Sequence, residues 1–131
     1  MTFVDSGAWF ALYIPVDPNQ RDAVDWISAN PGQLLTTDYV IDETLTLLRA
    51  RGQRAIALDF GNDIFSGRLA AVHYLTPEEI AESWKVFERF IDKDWSFTEC
   101  ASKVVIERLG IGTAFAFDQH FRQFGNTVVV P

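Results

Sequence analysis

Residues 94–121 read DWSFTECASKVVIERLGIGTAFAFDQHF. Thr98 is placed to cap a helix that runs to Leu109, and Gly110 closes it. A short apolar strand follows from Thr113 to Phe117, with Asp118 just past its end. A carboxylate at the start of a helix and another at the end of a strand can meet at one rim of a parallel sheet.

The rest of the chain repeats this alternation. Residues 2–5 (TFVD) read as a strand stopping at Asp5, followed by an apolar helix over Ala8–Ile14 that Pro15 ends. Pro18 opens a second helix to Ala29, and Leu34–Thr36 is a second strand. Asp38–Arg51 is helical, with Ile41, Leu45 and Leu48 on one face and Gly52 as its stop. Gln53–Ser66 is the next helix and Leu69–Leu75 the third strand. Thr76-Pro77-Glu78-Glu79 is a helix start with cap, N1 proline and early acids together, and that helix runs to Ile91. Asp92–Trp95 is a charged turn. After Asp118 come a short helix over Gln119–Phe124 and a fifth strand over Thr127–Val130. The pattern predicts one α/β domain over residues 1–131, with a mainly parallel five-stranded sheet.

At 131 residues, 48% of them apolar, the chain can bury a core without staples. Its single cysteine, Cys100, excludes an internal disulfide and reads as a small core residue. No signal peptide or membrane-spanning run is visible, so the cytoplasm is the expected compartment. The net charge of −7 argues against gripping nucleic acid through the overall field. A bound divalent cation or a local basic face can reverse the sign where a substrate sits.

In a parallel sheet, function sits outside the carboxyl ends of the strands. Asp5 and Asp118 belong there. Glu43 and Glu99 border the apolar stripes of their helices, so each can reach a shared site while its stem packs. Four carboxylates with no basic partner repel one another unless neutralised. Hard divalent cations favour oxygen ligands, so Mg²⁺ or Mn²⁺ is the natural counter-charge. The chemistry suited to such a site is in-line attack of a metal-activated water on a phosphodiester.

Asp5-Ser6 after the first strand, Glu43 in VIDETLTLLRARG, the DWSFTEC segment and FAFDQHF together resemble a PIN domain. Glu43 lies 38 residues past Asp5, Glu99 56 further and Asp118 19 further. Among PIN proteins the pattern is most similar to the ribonuclease toxins of VapBC toxin–antitoxin modules, over nearly the whole chain. The resemblance implies an α/β/α sandwich, endoribonuclease activity with Mg²⁺ or Mn²⁺, a homodimer, and a VapB-like antitoxin covering the active site. It implies that Asp5, Glu43, Glu99 and Asp118 are the catalytic, metal-binding acids, with Asp94 an accessory at the same rim. Ser6 would hydrogen-bond a ligand-bound water or Asp5. The chain departs from the family pattern at Glu99, where Asp is usual, and at Ala116, where Thr is frequent.

Arg49, Arg51 and Arg54 cluster at one helix end, where they suit the helix dipole and equally suit RNA phosphates or an acidic partner segment. His73 and His120 lack ligand spacing and read as structural. Trp84, Phe87 and Phe90, like Trp9, Phe10 and Tyr13, read as core aromatics. The rival reading is a catalytically weak PIN domain that binds protein or RNA. A receiver-type phosphoacceptor domain would need paired acids after the first strand and a Lys after the last, which the chain lacks.

Overall fold

Short apolar runs separated by helices have one economical arrangement, a parallel sheet with its crossovers packed on both faces. A computed structural model describes residues 1–131 and has that arrangement. Strands β1 (Thr2–Val4), β2 (Leu34–Thr37), β3 (Ala71–His73), β4 (Thr113–Phe115) and β5 (Val128–Val130) form one sheet in the order β3-β2-β1-β4-β5. All four pairings are parallel, and Phe3 sits opposite Leu35 on one side and Ala114 on the other. The helices are α1 (Ser6–Tyr13), α2 (Gln20–Ala29), α3 (Asp38–Ala50), α4 (Arg54–Phe65), α5 (Pro77–Arg89) and α6 (Phe97–Leu109). The result is a PIN-like α/β/α sandwich.

From β1 the chain builds outward through β2 and β3, then crosses back to lay β4 and β5 on the other side. Strand order therefore reverses between β1 and β4, the place where such sheets open a crevice at their carboxyl ends. Asp5 follows β1 and Asp118 lies three residues past β4. Beneath them the core is dense. Phe3, Val4, Trp9, Phe115 and Phe121 have no exposed surface. The indole of Trp9 donates to Thr36 Oγ1 (3.3 Å), which donates to the Val4 carbonyl (3.2 Å), so α1, β2 and β1 are tied just below the rim.

Several boundaries differ from the pattern read in the sequence. Helix α1 begins at Ser6 rather than Ala8, because the Asp5 carbonyl already accepts from the Ala8 and Trp9 amides (3.1 Å each). Helix α2 begins at Gln20, two residues after Pro18. Strand β3 is only Ala71–His73, because the Leu75 amide leaves the ladder for Asp38 Oδ1 (3.1 Å). Strand β4 ends at Phe115 and β5 starts at Val128, and the segment after Asp118 is a 3-10 turn, Gln119–Gln123. Helix α6 is capped by Ser96, not Thr98. Of the aromatics read as core, Trp84 is 53% exposed, stacking on Phe87 at the surface of α5. Cys100 is buried, and burial pushes its thiol up to about 11, which fits an inert core residue. No helix is long and apolar enough to cross a membrane.

Candidate active site

Asp5 is the N-cap residue of α1, yet its side chain makes no capping hydrogen bond. Its backbone amide donates a hydrogen bond to the Phe115 carbonyl (3.1 Å), which links it directly to the neighbouring strand β4. The carboxylate is 4% exposed, and its Oδ1 has no hydrogen-bond partner. Burial pushes this carboxyl up to about 7; the Ser6 backbone N–H opposes the shift, and the charges of Glu43, Glu99 and Asp118 add to it. Native interiors rarely leave a buried carboxylate oxygen unpaired. Here the three acids that surround it can only repel it.

Helix α3 delivers Glu43, half-buried, one and a half turns from its Thr37 cap. Ser6 donates its hydroxyl to Glu43 Oε1, so the Ser6 side chain holds Glu43 rather than Asp5. Asp42, one residue earlier, faces solvent. Glu43 also lines a shallow groove with Thr46, Leu47 and Ala50 of the same helix and Thr98 of α6. At the carboxyl end of α3, outside that groove, Arg51 lies over the ring of Phe10 of α1 at 5.5 Å. Arg49 and Arg54 stand beside it, exposed.

The start of α6 is a capping box. Ser96 Oγ accepts from the Glu99 amide (3.1 Å), and Glu99 Oε1 accepts from the Ser96 amide (3.2 Å). One oxygen of Glu99 is thus committed to its own helix, a reach that suits Glu at this position. The other, Oε2, meets His120 Nδ1 at 2.6 Å. His120 follows Asp118 in the 3-10 turn, and its amide donates to Asp118 Oδ1 (2.9 Å), with Nδ1 3.4 Å from the same oxygen. Burial lowers the basicity of His120, but the hydrogen bond and charge of Glu99, with Asp118 and Asp94, reverse this and leave it raised. One donor atom each from Glu99, Asp118 and His120 lie within 4.8 Å of one another.

What brings these two segments together is Trp95. It is buried between Phe90 and Phe124, with centroids 4.9 and 5.0 Å away, and its indole donates to Gln123 Oε1 (2.7 Å). The residue before it, Asp94, takes the left-handed conformation (φ 58°) at the end of the 3-10 turn Ile91–Lys93. Asp94 is exposed at the edge of the cluster, where its charge reaches His120.

The structure therefore gathers Asp5, Glu43, Glu99 and Asp118 into one electrostatic neighbourhood. Asp118 is the exposed member, its side chain 46% open. His120, read as structural in the sequence, stands among them. A histidine two residues after a rim aspartate, in a turn too short to carry it away, was the available signal. His73 does behave structurally, pairing with the buried Glu79 of the α5 capping box at 2.8 Å.

No protein-family model matches the chain. It is 30% identical over 132 residues to the 23S rRNA-specific endonuclease VapC20 of Mycobacterium tuberculosis, an alignment that spans 100% of this chain and 99% of the relative. The chain belongs to the VapC family of PIN-domain proteins. A second VapC ribonuclease, from Archaeoglobus fulgidus, is 28% identical over 90% of this chain and 77% of its own length. The crystal structure of M. tuberculosis VapC20, described as a sarcin–ricin loop cleaving toxin, superposes with a TM-score of 0.93 at 27% identity over all of both chains. A Pyrobaculum aerophilum protein shares the fold at a TM-score of 0.67 and 18% identity. The VapC fold thus puts the carboxylate cluster at its switch point.

Proposed function

We propose that the chain is an endoribonuclease, the toxin of a toxin–antitoxin pair, which cuts RNA at a divalent cation held by Asp5, Glu43, Glu99 and Asp118. The observation that carries this reading is Asp5: a buried carboxylate with an unpaired oxygen, ringed by three further acids. Such a group is costly unless a cation completes it, and the oxygen donors of these four carboxylates suit Mg²⁺ or Mn²⁺. Asp94 is an accessory at the open edge. When bound, the cation supplies Lewis-acid stabilisation of charge on the phosphate and makes water a better nucleophile.

The chain's own residues do the rest. Asp5, anchored through its backbone to β4, fixes one donor rigidly, while Ser6 holds Glu43 in place beside it. Asp118, the exposed acid, faces the side from which RNA enters. Arg49 and Arg51 belong to the carboxyl end of α3, the helix that carries Glu43, and the Phe10 ring under Arg51 holds its guanidinium there, suited to a flanking phosphate. Cleavage leaves a 5′-phosphate and a 3′-hydroxyl. A VapB-like antitoxin covers the groove in the silent state, and the active unit is a homodimer. The full-length likeness to VapC20 makes a 23S rRNA fragment containing the sarcin–ricin loop the first substrate to try.

The test is an RNA cleavage assay with and without Mn²⁺ or Mg²⁺. Asp5→Ala and Asp118→Ala should each abolish cutting while circular dichroism shows an intact fold. Full activity in the Asp5→Ala protein would sink the proposal. One observation favours the rival, a binding module with weak catalysis: both oxygens of Glu99 are already hydrogen-bonded, to the Ser96 amide and to His120. RNA or partner binding without cation-dependent cuts would establish that reading instead.

A further inference from the structure

Glu99, Asp118 and His120 form a mixed oxygen and nitrogen cluster, whereas the acids read from the sequence offer oxygen alone. The His120 ring is neither loose on the surface nor packed as a plain core residue. Its Nδ1 is 2.6 Å from Glu99 Oε2 and 3.4 Å from Asp118 Oδ1, and its side chain is 31% exposed. The turn that carries it is pinned to the start of α6 by a second, independent bond, from Trp95 to Gln123 at 2.7 Å. The position of the imidazole is therefore set by the fold. Glu99, one methylene longer than Asp, spans from its capping box to that ring.

We propose that His120 is a nitrogen donor of the cation site, taking the cation together with Glu99 and Asp118. The inference rests on the reading that these acids hold a divalent cation. Donors to one ion with bonds of about 2.1 Å lie up to about 4.2 Å apart. The three donor atoms, all within 4.8 Å of one another, need only slight adjustment to share one. Glu99 Oε2 and His120 Nδ1, 2.6 Å apart, must separate to about 3 Å and the imidazole nitrogen must be unprotonated for both to bind one cation. An independent sign that this rim takes a ligand is Asp5 Oδ1, unpartnered on a residue 4% exposed whose amide donates to the carbonyl of Phe115 (3.1 Å), three residues before Asp118.

The consequence is a change in cation preference. Carboxylates alone suit Mg²⁺ and Mn²⁺ alike, whereas an imidazole nitrogen is a poor ligand for Mg²⁺ and a better one for first-row transition ions. The site should therefore favour Mn²⁺ over Mg²⁺, and the margin should depend on His120. Histidine count makes this easy to read, because the chain has only two, and His73 is engaged with Glu79 on the far edge of the sheet.

Pulsed electron paramagnetic resonance on the full chain loaded with Mn²⁺ tests this without reference to activity. The expected result is a coupling from a directly bound imidazole ¹⁴N in the wild type, retained in His73→Gln and lost in His120→Gln. Calorimetric titration of the same proteins should show Mn²⁺ bound about tenfold more weakly by His120→Gln, with Mg²⁺ affinity little changed. Mn²⁺ bound in the wild type with no imidazole coupling overturns the role of His120 and leaves the cation reading intact. A coupling that disappears in His73→Gln overturns it equally. No Mn²⁺ binding to the wild type at all overturns both. Should His120→Gln not fold, the wild type and His73→Gln still decide the matter.

Discussion

At the scale of single residues, Asp5 carries a tension between stability and function. With its carboxyl raised from 3.8 to about 7, the native state keeps a proton that the unfolded chain gives up. The unfolded state therefore binds fewer protons between these values, and stability falls as pH rises through that window. Below pH 4 the group costs nothing, and above pH 7 the full cost, at most about 4 kcal/mol, is present. In metal-free protein Asp5→Asn should thus melt higher than the wild type at pH 8, with the gap closing toward pH 4. Mn²⁺ should raise the melting temperature of the wild type more than that of Asp5→Asn. A wild type that is the more stable at pH 8 without cation would show the carboxylate to be satisfied within the protein. Ser6 offers a second check, since its only side-chain role here is to hold Glu43. Ser6→Ala should slow cleavage by about tenfold to a hundredfold while changing the melting temperature little, measured on the same preparation.

Elements explain which of these residues could be read from the sequence and which could not. Asp5 and Asp118 were legible because an acid just past an apolar strand must come to the carboxyl rim. Glu43 was legible as a stripe-edge acid on a helix with clear ends. The start of α6 was misread by two residues, although Ser96-Phe97-Thr98-Glu99 has the Ser-x-x-Glu spacing of a capping box. Thr98 has the residue type of a cap but falls inside the helix, two residues past the true cap, and the commitment of Glu99 Oε1 to the Ser96 amide follows from the cap at Ser96. His120 escaped for a different reason: its contact with Glu99 spans 21 residues and depends on the Trp95–Gln123 tie. Two helices allow the capping argument to be separated from the catalytic one. Helices α5 and α6 begin with the same box, Thr76 with Glu79 and Ser96 with Glu99, but only the second lies at the site. Thr76→Ala and Ser96→Ala should each cost about 1 kcal/mol in urea unfolding. Ser96→Ala alone should also depress RNA cleavage, because losing the bond from the Glu99 amide to Ser96 Oγ loosens the first turn that carries the Glu99 carboxylate to the site. Equal loss of cleavage in both variants would mean that stability, and not Glu99, is being read.

For the whole molecule the question is how a chain of net charge −7 meets a polyanion. The fold class follows from the alternation of strands and helices, and the strand order then concentrates negative charge at the β1–β4 crevice, the place where the proposed cleavage would need a phosphate. A cation at that crevice lowers the local barrier, but it does not supply the reach along the RNA. The chain's 11 basic residues are fewer than its 18 acids, so their placement decides more than their number. Arg49, Arg51 and Arg54 fall within six residues where α3, the helix that carries Glu43, ends and α4 begins, and Arg51 is held over Phe10. Replacing all three by Ala should weaken RNA binding by about tenfold and flatten its salt dependence, since fewer counterions are released on binding. Mn²⁺ affinity should stay unchanged, because none of the three belongs to the carboxylate cluster. The measurement is a fluorescence titration of labelled RNA from 50 to 200 mM salt, set beside a calorimetric Mn²⁺ titration. RNA affinity and salt slope both equal to the wild type would put the RNA path on another face, and the arginines would then serve only the carboxyl end of α3.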